Sequence, residues 1–200
     1  MSSAYLPPLP QPAPWRKLFL EHVNKMPSPE FVLSTLAAAS PDSTSPYVPR
    51  ARHCILRGLW AELPENEHNK AQRNPRAYES ELPTFTTDVR MEKVGQLFES
   101  SVVHADSDNP SHGSGGGGPV EAVWWVKVEN IMTQWRVKGT AFVVAPDIDS
   151  ATHTGVRTVK SEIGSRMRVI DESKTDEWTW KREMDGHFGN LSPGMRGMRP

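Results

Sequence analysis

The chain has 200 residues, long enough for one domain with a sizeable core. Its 23 basic and 24 acidic side chains leave a net charge of -1, with no basic stripe for nucleic acid and no acidic tail for a charged partner. The single cysteine, Cys54, excludes an internal disulfide framework and points to a reducing, cytoplasmic setting, and no apolar run is long enough to span a bilayer.

Residues 1–14 hold five prolines and predict an extended, mobile arm. Pro14 then opens a helix over residues 15–26, in which Trp15, Leu18, Phe19, His22, Val23 and Met26 share one face. His22 on that face reads as a half-buried packing residue. Residues 31–38 form the first strand, and the proline- and serine-rich stretch 40–49 reads as a loop. Residues 50–62 predict a second, longer strand. Alternation puts Arg52, Cys54, Leu56 and Trp60 on one side and His53, Ile55, Arg57 and Leu59 on the other. Both sides are largely apolar, as in a barrel wall covered twice. Residues 65–81 are polar and predict a surface excursion.

Residues 82–87 are β-branched and aromatic and read as a short strand. Asp88 is placed to cap a following helix whose apolar face is Met91, Val94, Leu97 and Phe98. Thr86, Thr87, Arg90 and Lys93 then gather at one strand-to-helix corner. Hydroxyls, free backbone N–H groups and two cations at a helix start suit a phosphate monoester; the plainer alternative is an ordinary corner with solvated charges.

Residues 102–119 are of low complexity and predict disorder. A phosphate-gripping reading of residues 115–118 lacks a GxGxxG or GxxxxGK[ST] pattern. Residues 120–127 and 131–144 form a hairpin turning near Glu129 and Asn130. Trp124 and Trp125 are adjacent and so point to opposite faces; burial of both would require two covered faces, one of them by a second subunit. Gln134, Arg136 and Lys138 share a face. Residues 147–155 read as a loop, 156–170 as a basic stretch, and 176–187 as a helix with Trp180 and Met184 on its apolar side. The end of the chain reads as unfolded on its own. The seven histidines show no HxxxH or CxxC pair, and no GxSxG is present, so neither a metal site nor a serine nucleophile is expected. Periodicity alone gives a mainly antiparallel β domain with flanking helices.

Six stretches carry a resemblance: Pro-Trp-Arg-Lys-Leu-Phe from Pro14, Arg-Gly-Leu-Trp-Ala-Glu-Leu from Arg57, Thr-Phe-Thr-Thr-Asp-Val-Arg from Thr84, Val-Trp-Trp-Val from Val123, Gln-Trp-Arg-Val-Lys-Gly from Gln134 and Ser-Glu-Ile-Gly-Ser-Arg from Ser161. With these the chain, from about Trp15 to Met195, resembles the pyridoxamine-phosphate-oxidase-like FMN-binding split barrels. The resemblance implies a mainly β fold, a split barrel with flanking helices, spanning residues 15–190, with a disordered insert near 104–118 and an unstructured tail over 191–200. It also implies that the barrel lacks its last strands, since the family's closing Trp and R-x-H strand pair has no counterpart.

The resemblance implies FMN as cofactor. Arg52 and Arg57 stand where the family's R-x-V-L-L-K strand holds the FMN phosphate, with Arg57 in place of lysine. Because alternation separates them, a bulge near Gly58 or a bent strand end is expected. Thr86, Thr87 and Lys93 match the Y-T-N-x-x-S-R-K segment. Glu92 stands in place of its arginine, so Arg90 is expected to supply that cation. Gln134 matches the glutamine of R-Q-V-R that meets the flavin. Arg157 and Ser161 match the substrate-phosphate residues around S-Q-I-G. A homodimer with FMN at the subunit interface is implied, acting as a flavin-dependent oxidoreductase of unknown substrate and turning over pyridoxamine phosphate poorly. The alternatives are a protein that holds the cofactor without turnover and a truncated, inactive product.

Overall fold

The computed structural model describes residues 11–101, 113–192 and 194. Helix α1 (Arg16–Asn24) buries Phe19 and Val23, and strand β1 (Glu30–Ala38) follows after Pro27 and Pro29 stop the helix. Strand β2 (Tyr47–Ile55) pairs antiparallel with β1 along its whole length, from Ala38 against Tyr47 to Glu30 against Ile55. The second strand is therefore earlier and shorter than 50–62. It starts inside the stretch read as loop, because as an edge strand it tolerates Pro49. It ends at Ile55, where Leu56 and Arg57 turn their N–H groups to the carbonyls of Pro29 and Thr84 instead. Gly58, at φ +109°, completes the bend.

Strands β4 (Gly115–Val128) and β5 (Ile131–Val143) form the expected hairpin, and β4 also pairs with β1, giving a four-stranded antiparallel sheet in the order β2-β1-β4-β5. Two short strands, β3 (Tyr78–Ser80) and β6 (Met167–Val169), make a second antiparallel pair. The inner face of the large sheet carries Phe31, Leu33, Ala122, Trp124 and Val126, and α1 covers its lower part. Trp124 is fully buried there, stacked on Phe31 at 4.6 Å and edge-on to Phe19 at 5.1 Å. His22 takes part as a packing residue, its Nδ1 accepting from the Trp135 indole N–H at 3.1 Å. Trp125, on the outer face, is 56% exposed, so only one tryptophan of the pair is core within the chain.

Helix α2 (Glu92–Glu99) covers the upper part of the inner face and buries Val94, Gln96, Leu97 and Phe98; Met91 stays exposed just before it. Two expectations fail at its start. Residues 82–87 form no strand: Trp60 and Thr84 donate their N–H groups to the carbonyls of Leu82 and Gly58 on either side of one bridge, Leu59 to Pro83, and the pairing stops there because the facing segment turns back at once, with Ala61 at φ +67° and Glu62 N–H closing on Leu59 O. Asp88 does not cap the helix. Its carboxylate accepts from the Arg90 backbone N–H at 2.9 Å in a local turn, and the residue flanking α2 is Met91.

Residues 115–118 correct the disorder expected over 104–118, since all four glycines are buried in β4; residues 102–112 lie outside the described residues. A Cβ on Gly118 would sit 2.8 Å from the Leu97 carbonyl oxygen and 2.4 Å from Ser100 Oγ. The glycines are there because the backbone of α2 lies against the strand. Gly117 also holds φ +105°, beside a register shift between Gly116 and Gly118.

The C-terminal part adds α3 (Thr154–Gly164), which the sequence reading left unassigned, and α4 (Trp180–Gly189), close to the expected helix. Val156, Val159 and Ile148 pack beneath Phe142, Val144 and Trp180, while Trp60, Ala77 and Trp178 form a neighbouring cluster. An ion-pair network ties these parts to α1: Arg16 donates to both Glu62 oxygens at 2.5 Å, Arg76 pairs with Glu62 at 2.9 Å, and Arg168 pairs with Glu79 and Glu81. At the N-terminal end, Ala13 donates its N–H to Glu81 at 3.1 Å, so the part of the arm just before α1 is held; residues 1–10, 193 and 195–200 lie outside the described residues. No helix among the described residues is long and apolar enough to cross a membrane.

Candidate functional site

Three of the cations singled out by sequence come from β2, from the residues just past its end and from α2, and the bond of Arg52 to Gln96 ties β2 to α2. Arg52 shares the inner face with Leu33, its register partner, and turns its guanidinium inward. Nη1 donates to Thr35 Oγ1 at 2.6 Å and, less closely, to the carbonyls of Leu33 and Arg50, both at 3.3 Å; Nη2 donates to Gln96 Oε1 at 2.7 Å. Every one of these acceptors is neutral. Lys93, from the first turn of α2, donates Nζ to Thr87 Oγ1 at 3.0 Å. Both charges act on Cys54: burial pushes its thiol up, and Lys93 and Arg52 pull it part of the way back. Arg52, Cys54, Lys93 and Thr87 are therefore one neighbourhood, with Thr86 beside it in the chain.

Arg57 lies past the end of the ladder, so the alternation that separated it from Arg52 does not apply. Its backbone N–H donates to Thr84 O at 2.7 Å, which fixes it beside the segment leading to Thr86 and Thr87. Its Nε is buried with no hydrogen-bond partner among the described residues, and burial pulls the guanidinium below its ordinary value. A buried N–H without an acceptor costs free energy that a bound anion would recover. Neither Arg52, Arg57 nor Lys93 forms an ion pair with a carboxylate among the described residues.

Arg90 differs from these cations in being already paired. It is exposed and grips Asp88 with two bonds, Nε to Oδ1 at 2.9 Å and Nη2 to Oδ2 at 2.5 Å. That contact holds the Asp88 carboxyl down at about 2, so the pair is fully ionised at neutral pH. Gln134 is exposed on the outer face of β5, opposite Trp125, whereas Arg52 is on the inner face of β2; the two are on opposite faces and opposite edges of the sheet. Arg157 and Ser161 sit one turn apart on the exposed side of α3. Arg157 donates back to Thr152 O at 3.4 Å and Thr154 Oγ1 at 3.2 Å, so its bonds stay within its own helix start.

Two residues of this neighbourhood carried no sequence signal. Thr35 reads as one more β-branched strand residue and Gln96 as a polar position in a helix, yet they are 2% and 5% exposed and hold Arg52. A second polar cluster, Ser114–Asp147–His153, is not a nucleophile triad. Ser114 Oγ donates to Asp147 at 2.8 Å rather than to the imidazole, and Ser114 is itself buried. Among the described residues no group of three histidine, cysteine or carboxylate side chains could hold a metal ion.

Residues 12–145 match the family described as pyridoxamine 5'-phosphate oxidase, FMN-binding domain, a span covering more than half of the chain. The protein belongs to that family. Neither a curated protein nor a solved structure matches it. The matched span of this FMN-binding domain contains Arg52, Arg57, Thr86, Thr87, Arg90, Lys93 and Gln134, while Arg157 and Ser161 fall beyond it. The family's cofactor ends in a phosphate monoester, and the residues present fit such a group: two guanidinium groups and an ammonium that have no carboxylate partner among the described residues, one of them with a buried N–H that has no acceptor there.

Proposed function

We propose that this protein is an FMN-binding flavoprotein whose cofactor phosphate is held by Arg52, Arg57 and Lys93, with the hydroxyls of Thr86 and Thr87 beside them. The observation that carries this is the Arg52 guanidinium, turned inward and held, among the described residues, by neutral oxygens alone. Its full positive charge is therefore kept for an anion. Bound FMN would supply a two-electron acceptor for a substrate hydride, so the reading extends to a flavin-dependent oxidoreductase. Arg157 and Ser161 are retained as the substrate-phosphate pair, on an exposed helix face that leaves them open to a ligand. The four-stranded antiparallel sheet and its flanking helices suit a split barrel.

The placement of Gln134 supports a homodimer. Within one chain it cannot reach the inner-face cations, so contact with the same flavin requires a second copy. Exposed Trp125, Ile55 and Met132 on that outer face are the apolar surface such a copy would cover. Sedimentation at micromolar protein is expected to give a dimer, and a species of 22.4 kDa alone would remove this part of the reading.

A titration of apo-protein with FMN tests the grip. Each lost cation is expected to cost about 1.5–3 kcal/mol, roughly tenfold to a hundredfold in affinity, for Arg52→Ala and for Lys93→Ala. Arg90→Ala is expected to change affinity by about threefold at most, because Asp88 already matches its charge at the surface. Lys17→Ala is the control, its side chain being 89% exposed on α1. Equal affinities for wild type, Arg52→Ala and Lys93→Ala would move the phosphate elsewhere. Bleaching of bound flavin by a hydride donor would separate an oxidoreductase from a protein that only holds the cofactor.

A further inference from the structure

We propose that Thr35 and Gln96 are positioning residues that aim the Arg52 guanidinium and, by being neutral, preserve its charge for the phosphate of the cofactor; this rests on the FMN reading above. The three side chains close a ring of hydrogen bonds. Arg52 Nη1 donates to Thr35 Oγ1 at 2.6 Å, Thr35 Oγ1 donates to Gln96 Oε1 at 2.5 Å, and Arg52 Nη2 donates to the same Oε1 at 2.7 Å. The directions are forced. Arginine has only donors, so Thr35 must accept from it, and the one hydroxyl hydrogen of Thr35 is then given to the amide oxygen. The same logic fixes the amide with its oxygen toward Arg52.

Burial makes the ring rigid. Thr35 and Gln96 are 2% and 5% exposed, and they come from β1, which pairs with β2, and from α2, which packs on β1. Gln96 occupies the buried side of α2 between Val94 and Leu97, where an apolar residue would otherwise be expected. An amide there costs burial free energy unless its oxygen is used, and here it is used twice. The bonds to Thr35 and Gln96 engage Nη1 and one hydrogen of Nη2. They leave Nε–H and the second Nη2 hydrogen, one edge of the planar fork, uncommitted to the ring. A fork fixed on one edge and open on the other is pre-organised for two parallel bonds to a phosphate. A glutamate at position 96 would have the same shape and accept the same bonds, but it would cancel the charge.

That difference supplies the test. Wild type, Arg52→Ala, Gln96→Glu and Thr35→Val are titrated with FMN and with riboflavin, which has the same ring system and no phosphate, and their melting temperatures are recorded. Gln96→Glu is expected to melt within a few degrees of wild type, to lose about tenfold to a hundredfold in FMN affinity, as Arg52→Ala does, and to leave riboflavin affinity unchanged. Thr35→Val, which removes one neutral bond, is expected to lose about threefold to tenfold for FMN alone, with Thr35→Ser restoring it. If Gln96→Glu binds FMN as wild type does while Arg52→Ala does not, the positioning role is overturned and the phosphate grip stands. Parallel losses for FMN and riboflavin in Gln96→Glu and Thr35→Val would also overturn it, marking the ring as structural. If wild type and Arg52→Ala bind FMN equally, the underlying site has failed instead.

Discussion

Trp124→Ala is expected to lower the free energy of unfolding by about 3–5 kcal/mol, a large part of the roughly 5–15 kcal/mol that holds a domain folded. Trp124 is the largest fully buried side chain, and it links three elements: Phe31 of β1 is stacked on it, Phe19 of α1 meets its edge, and Trp135 of β5 is its register partner. Truncation would leave a cavity bounded by stiff rings that cannot collapse into it. Trp124→Phe is expected to cost less, because it keeps an aromatic plane and removes a buried indole N–H that has no acceptor among the described residues. Trp125→Ala, one residue on but facing outward, is expected to move stability by about 1 kcal/mol or less when monomer is compared with monomer. In the proposed dimer it would act on association instead. Denaturant melts of the three variants check this. A loss below about 1 kcal/mol for Trp124→Ala would mean that the inner face of the sheet is not the core.

Gly118→Val is expected to cost about 3 kcal/mol or more and to leave little folded protein at body temperature. A Cβ alone at this position would stand 2.8 Å from the Leu97 carbonyl oxygen, 2.9 Å from Leu97 Cα and 2.4 Å from Ser100 Oγ. The first two are backbone atoms of α2 and cannot swing aside, so the helix must lift off β4. The same helix carries Gln96 and Lys93, so flavin affinity should fall together with stability. Gly139→Val, on β5 of the same hairpin, meets nothing within 4 Å of its Cβ and is expected to change stability by about 0.5 kcal/mol or less. Melting curves for the pair, recorded side by side, separate close packing from the general effect of placing valine in a strand.

The glycine tract also shows where reading from sequence stops. Four glycines in a row have no hydrophobic periodicity, and composition gives them nothing to bury. What buries them is another part of the chain: Leu97 and Phe98 of α2, and Ser100 just after it, lie on top of them. The opposite error occurred at residues 82–87, where β-branched and aromatic residues advertise a strand. Propensity describes a surface that fits a sheet, but a ladder needs a partner, and the facing segment turns back after Leu59, which leaves a single bridge at Pro83. In α3 the signal was present and unused. Val156, Val159 and Ile163 recur at helical spacing among charged residues, and the first two are fully buried.

What the amino-acid order determined by itself were the features set by local periodicity and by short motifs. These are α1 with its Phe19 and Val23 stripe, β1, the hairpin turning at Glu129 and Asn130, the amphipathic face of α2, and the membership of an FMN-binding family, which the short motifs carry. Each depends on neighbours in sequence, which is where a period or a motif is visible. Only the tertiary structure decided which cations stay unmatched. Arg90 is neutralised by Asp88 two residues away, Arg52 has no carboxylate partner among the described residues, and Arg57 escapes the strand alternation because the ladder ends at Ile55. It also decided that Trp124 is core and Trp125 surface, and that Thr35 and Gln96, 61 residues apart, meet over one guanidinium. Charge balance, burial and hydrogen-bond closure are properties of groups brought together from distant parts of the chain, and a linear pattern carries no record of that distance.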